Sequence, residues 1–498
     1  MLSAWFGVPA FKQATVRGKQ IVEAEGHFQL DDEDKLKLDL LGRARCESVT
    51  LRDVPFDSVE GAFAWNGSNI YVRDLKLTRP DGKAEGKFMI ENKQLRVSMK
   101  STLPVPVYRP FVVGVPLEKI LANFSERKGA AIDLTLEGGV DLTSKLTRDT
   151  TWAYRGSGAI KNMNYRGVPV NSADCRFSVS HPELVFSDGT VIFNYENYPL
   201  CKAFNGPNDA TAKVGRIRYI SEKKIVEIED VRGAIWAAPM TRFFAPAIAD
   251  TLEVYRFHQP PDLRASGVVD VTPQGRTALD ISFASQQPAN YIFLGQDVKF
   301  NEPSGKVAIR GSRTTVSDLK LQAFDGETSA EIRYLGNGKL TGDVSWTHLS
   351  LDSLATTYGF EVKAGGNTTG RIDFSISNGK TETMNGEGLI AIQKAELFTV
   401  PMFGPLTPLI GGVTNDEKAG RQRAKSAFCT YTIQSGVLKT NDFQTSTTSL
   451  NFTGDGMLNL NDRTFDMNMR MNARGLLSVI TLPLFPFQGF FNFTAAAP

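Results

Sequence analysis

The chain has 498 residues, with 56 Lys plus Arg against 54 Asp plus Glu, and 41% of them are hydrophobic. That balance of charge excludes the basic footprint of a nucleic-acid binder, and the apolar content is enough to bury ample surface. The 44 Gly, 24 Pro and 32 Phe suit many short strands and turns.

In chain order, residues 1–20 carry Lys12, Arg17 and Lys19 and no sustained apolar core. They read as neither a signal peptide nor a membrane span. We expect Met1 and Pro498 to be trimmed ends of a longer protein. Phe28–Leu41 reads as a hairpin around the acidic turn Asp31-Asp32-Glu33-Asp34. That turn lacks the Gly and distal Glu of a calcium loop, so it reads as a solvated turn. Asn69–Leu77 follows, with Ile70 and Val72, then Leu75 and Leu77, alternating with polar residues. Alternation of that kind predicts a strand with one buried face. The phase slips at Arg73-Asp74, which predicts a β-bulge. Asp81-Gly82 marks a hairpin turn, and Lys87–Ile90 and Gln94–Met99 are further alternating strands.

The same pattern returns three times. Asp74 meets Asp188 at an offset of 114, Asp318 at 244 and Asp442 at 368. These four Asp are expected to sit at equivalent bends and to cap nearby amides. Four units of roughly 120 residues therefore tile the chain. We assign 1–145, 146–262 and 263–384 to three β-repeats and 385–498 to a fourth, differing one. Short amphipathic helices are expected near 105–127, 238–257 and 349–360, where apolar residues recur at helical spacing and Pro116 and Pro239 punctuate the chain. They would plug or cover one end of the sheet. Gly156-Ser157-Gly158 precedes a predicted strand and is a poor phosphate loop; Gly365-Gly366-Asn367 is a turn.

The fourth unit carries an apolar stretch around Val400–Leu406 and Leu409–Gly412, then the basic run Lys418–Lys425. In its strand Thr464–Met471, Phe465, Met467, Met469 and Met471 share one face. Leu476–Phe491 is apolar but broken by Pro483 and Pro486, so it should not span a bilayer. It would rest at a membrane surface or form a buried strand and turn. Cys46, Cys175, Cys201 and Cys429 form no Cys-x-x-Cys. Four unpaired thiols are expected, with a Cys175–Cys201 disulfide the alternative in an oxidising compartment.

His27, His181, His258 and His348 have no metal-ligand spacing, and no nucleophile elbow, Walker loop or zinc signature occurs. No catalytic residue, metal site or cofactor is assigned, and the chain reads as a non-enzyme.

Residues 385–475 resemble the C-terminal region of AsmA-like proteins. The resemblance rests on Asn385–Leu389 leading to Ile392–Leu397, then the Pro-Met-Phe-Gly-Pro-Leu stretch. Phe428–Ile433, Ser435–Thr440, Leu450–Gly456 and a strand near Phe465 follow. Val49–Pro55 is typical of the repeats of that group. The resemblance implies a mainly β protein, an elongated, twisted antiparallel sheet curled into a groove. It also implies an inner-membrane anchor through an N-terminal helix, a periplasmic location, and handling of phospholipids or outer-membrane assembly. No family-wide catalytic residue is implied.

Roughly 25–30 strands at about 4.8 Å each would make a sheet of roughly 120–145 Å, too long for one closed core. Its apolar face would then bind acyl chains. Candidate wall residues are Ile70, Val72, Phe88, Ile90, Val97, Met99, Leu319, Leu321, Phe465, Met467, Met469 and Met471. Expected partners are phospholipid, a membrane surface and envelope assembly proteins, with no nucleic acid. The alternatives are an envelope scaffold, an array of closed β-sandwiches, or a secreted β-solenoid adhesin.

Overall fold

The computed structural model describes residues 14–30, 36–67, 69–111, 116–141, 152–194, 209–242, 249–250, 252–272, 277–293, 295–359, 365–397, 399–401, 421–447, 450–462, 464–473 and 490–496. Mainly β architecture holds, with antiparallel pairing throughout and only short helices. The chain divides into two compact units. The first is Met1–Glu253 with Asp262–Gln274, and the second is Val254–Pro261 with Gly275–Pro498.

In chain order the strands begin β1 (Ala14–Val16), β2 (Gln20–Leu30), β3 (Leu36–Leu51), β4 (Val54–Asn66), β5 (Asn69–Arg79), β6 (Gly82–Glu91) and β7 (Gln94–Ser101). They continue with β8 (Phe124–Asp141), β9 (Trp152–Tyr165), β10 (Val168–Ser180), β11 (Glu183–Asn194), β12 (Asp209–Ile220), β13 (Ile225–Ala234), β14 (Arg256–Phe257) and β15 (Asp262–Asp270). Of these only β14 belongs to the second unit. In the first unit β2 lies along β3, β1 pairs with the far end of the same strand, and every later strand pairs with the next. That ladder runs through β13, which pairs with β15.

The second unit holds β16 (Ala278–Ala284), β17 (Ala289–Phe293), β18 (Gln296–Arg310), β19 (Arg313–Ala323), β20 (Gly326–Tyr334), β21 (Lys339–Ser350), β22 (Asn367–Ser377) and β23 (Lys380–Gln393). Then come β24 (Thr399–Pro401), β25 (Arg421–Arg423), β26 (Ser426–Gln434), β27 (Val437–Ser446), β28 (Leu450–Asn459), β29 (Thr464–Ala473) and β30 (Phe490–Ala496). From β18 the ladder passes strand to strand to β23, crosses to β26 and ends at β30. β16 pairs with β18, β24 and β25 pair only with each other, and β14, β17 and the start of β18 form a side ladder.

The repeat is visible in the register. Four hairpins close on Asn66↔Asn69, Ser180↔Glu183, Arg310↔Arg313 and Gln434↔Val437, at the same offsets of 114, 244 and 368 read from the sequence. Within the first unit β4 and β10 are six strands apart along the ladder, and within the second β18 and β26 are also six apart.

Each hairpin also carries a bulge. Asp74, Asp188 and Asp318 have φ of 52°, 51° and 52°, the left-handed region that Asp tolerates better than most residues. The bulge keeps Val72 and Leu75 facing the same way, opposite Phe88 and Gly86. Asp442 departs from this. Its strand bulges between Thr440 and Phe443, but its own φ is not positive. Its carboxylate instead accepts hydrogen bonds from the Thr430 backbone N–H at 2.9 Å and the Thr430 hydroxyl at 2.8 Å.

The helices are shorter than the periodicity predicts. Near 105–127 the chain forms α1 (Val105–Tyr108), a 3-10 turn at Arg109–Phe111, and α2 (Pro116–Ala122). Val107 packs with Leu103, Val54, Phe56 and Ala84, closing one end of the β4–β7 sheet. Of the stretch 238–257, α3 covers Ala237–Arg242, while Arg256 and Phe257 form β14, not helix. An aromatic residue such as Phe257 favours a strand, and here Arg256 and Phe257 pair with Asn290 and Ala289. α4 is Leu351–Thr357, capped by Ser350, whose hydroxyl accepts from the Ser353 N–H at 3.2 Å. None of its residues is fully buried. Gly156-Ser157-Gly158 lies inside β9, not ahead of a strand. The acidic turn at 31–34, the apolar stretch 402–413, Cys201 and 474–489 fall outside the described residues.

Candidate functional face

Cross-strand partners in an antiparallel ladder point to the same side of the sheet. Following them across the first unit gives one unbroken row. Ala24 lies opposite Gly42, Gly42 opposite Phe63, and Phe63 opposite Val72. Phe88, Val97, Gly138, Tyr154, Val179, Leu184, Tyr219, Val226 and Val269 continue it, one residue per strand. The row crosses thirteen strands without a charged residue. Two positions along each strand a parallel row runs from Leu75 and Gly86 through Met99, Leu136, Gly156, Phe177, Phe186, Ile217 and Ile228. The opposite face carries Glu137 facing Arg155, Arg216 facing Glu229 and Arg218 facing Glu227, each an ion pair.

The six candidate residues of the first unit, Ile70, Val72, Phe88, Ile90, Val97 and Met99, therefore share the apolar face. Phe63, Val72, Phe88, Val97 and Tyr154 are half-buried, whereas Val179, Leu184 and Val226 are buried. A cavity of about 1230 Å³ lies against these strands and is lined in part by Val72, Phe88, Leu95, Val97, Tyr154 and Val179. Most of its lining, including Tyr71, Arg73, Lys87, Arg96, Glu137 and Arg155, has the other parity, so the cavity does not by itself mark the apolar face as open. Met99 differs from its neighbours, since it packs against the cluster that α1 closes.

The second unit repeats the arrangement. Ile281, Val307, Val316, Ile332, Gly342, Phe374, Gly386, Ile433, Leu438, Leu458 and Phe465 form a row across it. Leu319 lies beside this row on the same face, opposite Ala330, and Leu321 lies opposite Thr328. Met467 and Met469 are each 8% exposed and pack with Leu450 and Phe452, while Phe465 and Met471 are half-buried around them. The two buried methionines are thus core of the C-terminal hairpins rather than open wall.

Glycines on these faces have a specific cause. A Cβ at Gly342 would meet the Phe374 ring at 2.6 Å, at Gly370 the Trp346 ring at 2.5 Å, and at Gly388 the Tyr431 ring at 2.6 Å. Each glycine lets an aromatic ring from the next strand lie flat against the backbone. The apolar surface is therefore smooth where alternating bulky residues would make it ridged. In the sequence alone these glycines look like ordinary turn and strand composition. The usable signal was a Gly on one strand aligned with an aromatic on the next.

Burial dominates the electrostatics of this face. It pushes the Cys175 thiol up to about 11, with Asp174 adding to the effect, so the thiol stays protonated and unreactive. It raises Tyr154 as well. The repeated Asp residues belong to the polar side. Asp188 pairs with Arg176 at 3.4 Å and Asp318 with Lys306 at 2.8 Å. In both, as in Thr430 with Asp442, the partner lies twelve residues upstream on the preceding strand. At the matching position of the first copy stands Ala62, and Asp74 is exposed.

Among the described residues no group of three His, Cys, Asp or Glu is placed to hold a metal ion, and no helix is long and apolar enough to cross a membrane. His258 Nε2 donates a 2.7 Å hydrogen bond to Asn290 Oδ1, the Asn290 amide nitrogen donates to Asp297, and Asp297 pairs with Arg256. That chain ties β14 to β17 and β18, a role the sequence did not signal. No family model matches the chain, and no curated protein matches it either.

Proposed function

We propose that the apolar face of the first unit binds the acyl chains of phospholipids, and that the protein holds or conducts such lipids across the cell envelope without catalysing a reaction on them. The observation that carries this is the uncharged row from Ala24 to Val269, half-open between Phe63 and Tyr154 and backed by a charged opposite face. An acyl chain laid along such a wall exchanges water-exposed apolar surface for contact, at roughly 25 cal/mol per Å². The resemblance of residues 385–475 to AsmA-like proteins supports the same reading. In that setting the protein works in the periplasm, is tied to the inner membrane by the family's N-terminal helix, and supports outer-membrane assembly.

Gently purified protein should carry phospholipid detectable by mass spectrometry. A photoreactive residue at Phe88 or Val97 should label lipid, and one at Lys100 or Thr135 on the opposite face should not. Equal labelling from both faces sinks the proposal. A second reading, a non-enzymatic envelope scaffold, is favoured by the burial of Met467 and Met469 as ordinary core. It is the reading that survives if purified protein holds no lipid.

A further inference from the structure

Among the described residues, the side of β2 turned away from β3 has no strand beside it. β2 is eleven residues long and contains no proline. An open edge of that length is a template for another strand. Its even-numbered residues belong to the apolar face, since Val22 lies opposite Ala44, Ala24 opposite Gly42 and Phe28 opposite Leu38. The apolar row therefore runs out at a bare edge, where Val22 is 58% and Phe28 76% exposed. The odd-numbered residues are Ile21, Glu23, Glu25, His27 and Gln29, facing Arg45, Arg43, Leu41, Asp39 and Lys37 of β3.

We infer that this edge pairs with the same edge of a second copy, antiparallel, about a two-fold axis at Gly26. The strand's own order selects that partner and that register. Centred on Gly26, Ala24 of one copy faces Phe28 of the other, so an aromatic ring covers a small residue. Val22 faces Leu30. On the polar side Glu25 faces His27 twice by symmetry, and Glu23 faces Gln29. Centring on Glu25 instead would set two Glu25 carboxylates opposite each other, which is destabilising. Centring between residues would set Val22 against polar side chains and break both faces. A two-fold axis normal to the sheet leaves both apolar faces on one side. The dimer thus joins two thirteen-strand rows into one, whether or not that face carries lipid.

The test uses the full chain in sedimentation velocity over a concentration series. A reversible dimer is expected. Phe28→Lys changes an exposed side chain, so the fold is retained, and the two lost Ala24–Phe28 pairs should weaken dimerisation about tenfold or more. Mixing an Ala24→Cys variant with a Phe28→Cys variant should give a covalent dimer on mild oxidation. Mixing Val22→Cys with Phe28→Cys, the pairing of the other register, should give far less. A chain that stays monomeric, a dimer indifferent to Phe28→Lys, or cross-linking that favours the second mixture would each overturn the inference.

Discussion

At Asp74, Asp188 and Asp318 the backbone, not the carboxylate, is the common feature. All three are left-handed, yet Asp188 pairs with Arg176, Asp318 pairs with Lys306, and Asp74 is simply exposed. Asp74→Asn should therefore leave stability nearly unchanged. Asp74→Val, which puts a β-branched residue into that region, should cost about 1–2 kcal/mol by urea denaturation. Asp442 is the reverse case, acting through its side chain. Burial pushes its carboxyl up, but hydrogen bonds from Thr430 and Thr440 outweigh this and hold it below the usual range. A depressed folded pKa means its stabilisation is present above about pH 4 and is lost as pH falls through the folded value. Asp442→Ala should cost about 1–3 kcal/mol at pH 7, and much less at pH 3. An equal loss at both pH values would argue against the carboxylate as the cause. The sequence signalled all four Asp through one phase slip, yet it could not separate a backbone role from a capping one. Both leave the same letter at the same offset.

Strands were legible because alternation is a two-residue signal repeated over ten or more residues, as in Thr464–Ala473. The end of the helical stretch expected near 238–257 was not, because Arg256 and Phe257 satisfy a helical spacing and a strand propensity alike, and pairing with β17 decides. Face sharing among Ile70, Val72 and Phe88 was legible from parity once the bulge was placed. Whether that face is open was not, because exposure depends on what packs above it: α1 covers Met99, and Met467 is enclosed by Leu450 and Phe452. Two element-scale tests follow. Ser350→Ala removes the cap of α4 and should cost about 1 kcal/mol. Gly370→Ala would drive a methyl into Trp346 and the Leu389 carbonyl, each 2.5 Å away, and should cost about 1–3 kcal/mol. Trp346 fluorescence should shift with it. An unperturbed Trp346 would mean the ring does not lie over that glycine.

On the scale of the whole chain, the equal spacing of the repeated hairpins has a consequence for how such a protein changes length. Six strands is an even number, so β10 runs in the same direction as β4 and offers its neighbour the same face. A block cut between equivalent points can then leave without reversing anything downstream. Removing residues 58–171 joins Asp57 to Ser172, the position equivalent to Ser58, and recreates a β4-like strand opposite β11. The shortened chain should fold with a strand-rich circular dichroism spectrum and a cooperative melt, its apolar row six strands shorter. A deletion of 58–152, which removes an odd number of strands, should not fold. Reach would then be a matter of copy number: duplication or loss of a whole block retunes the span of the apolar face while every local contact is inherited unchanged.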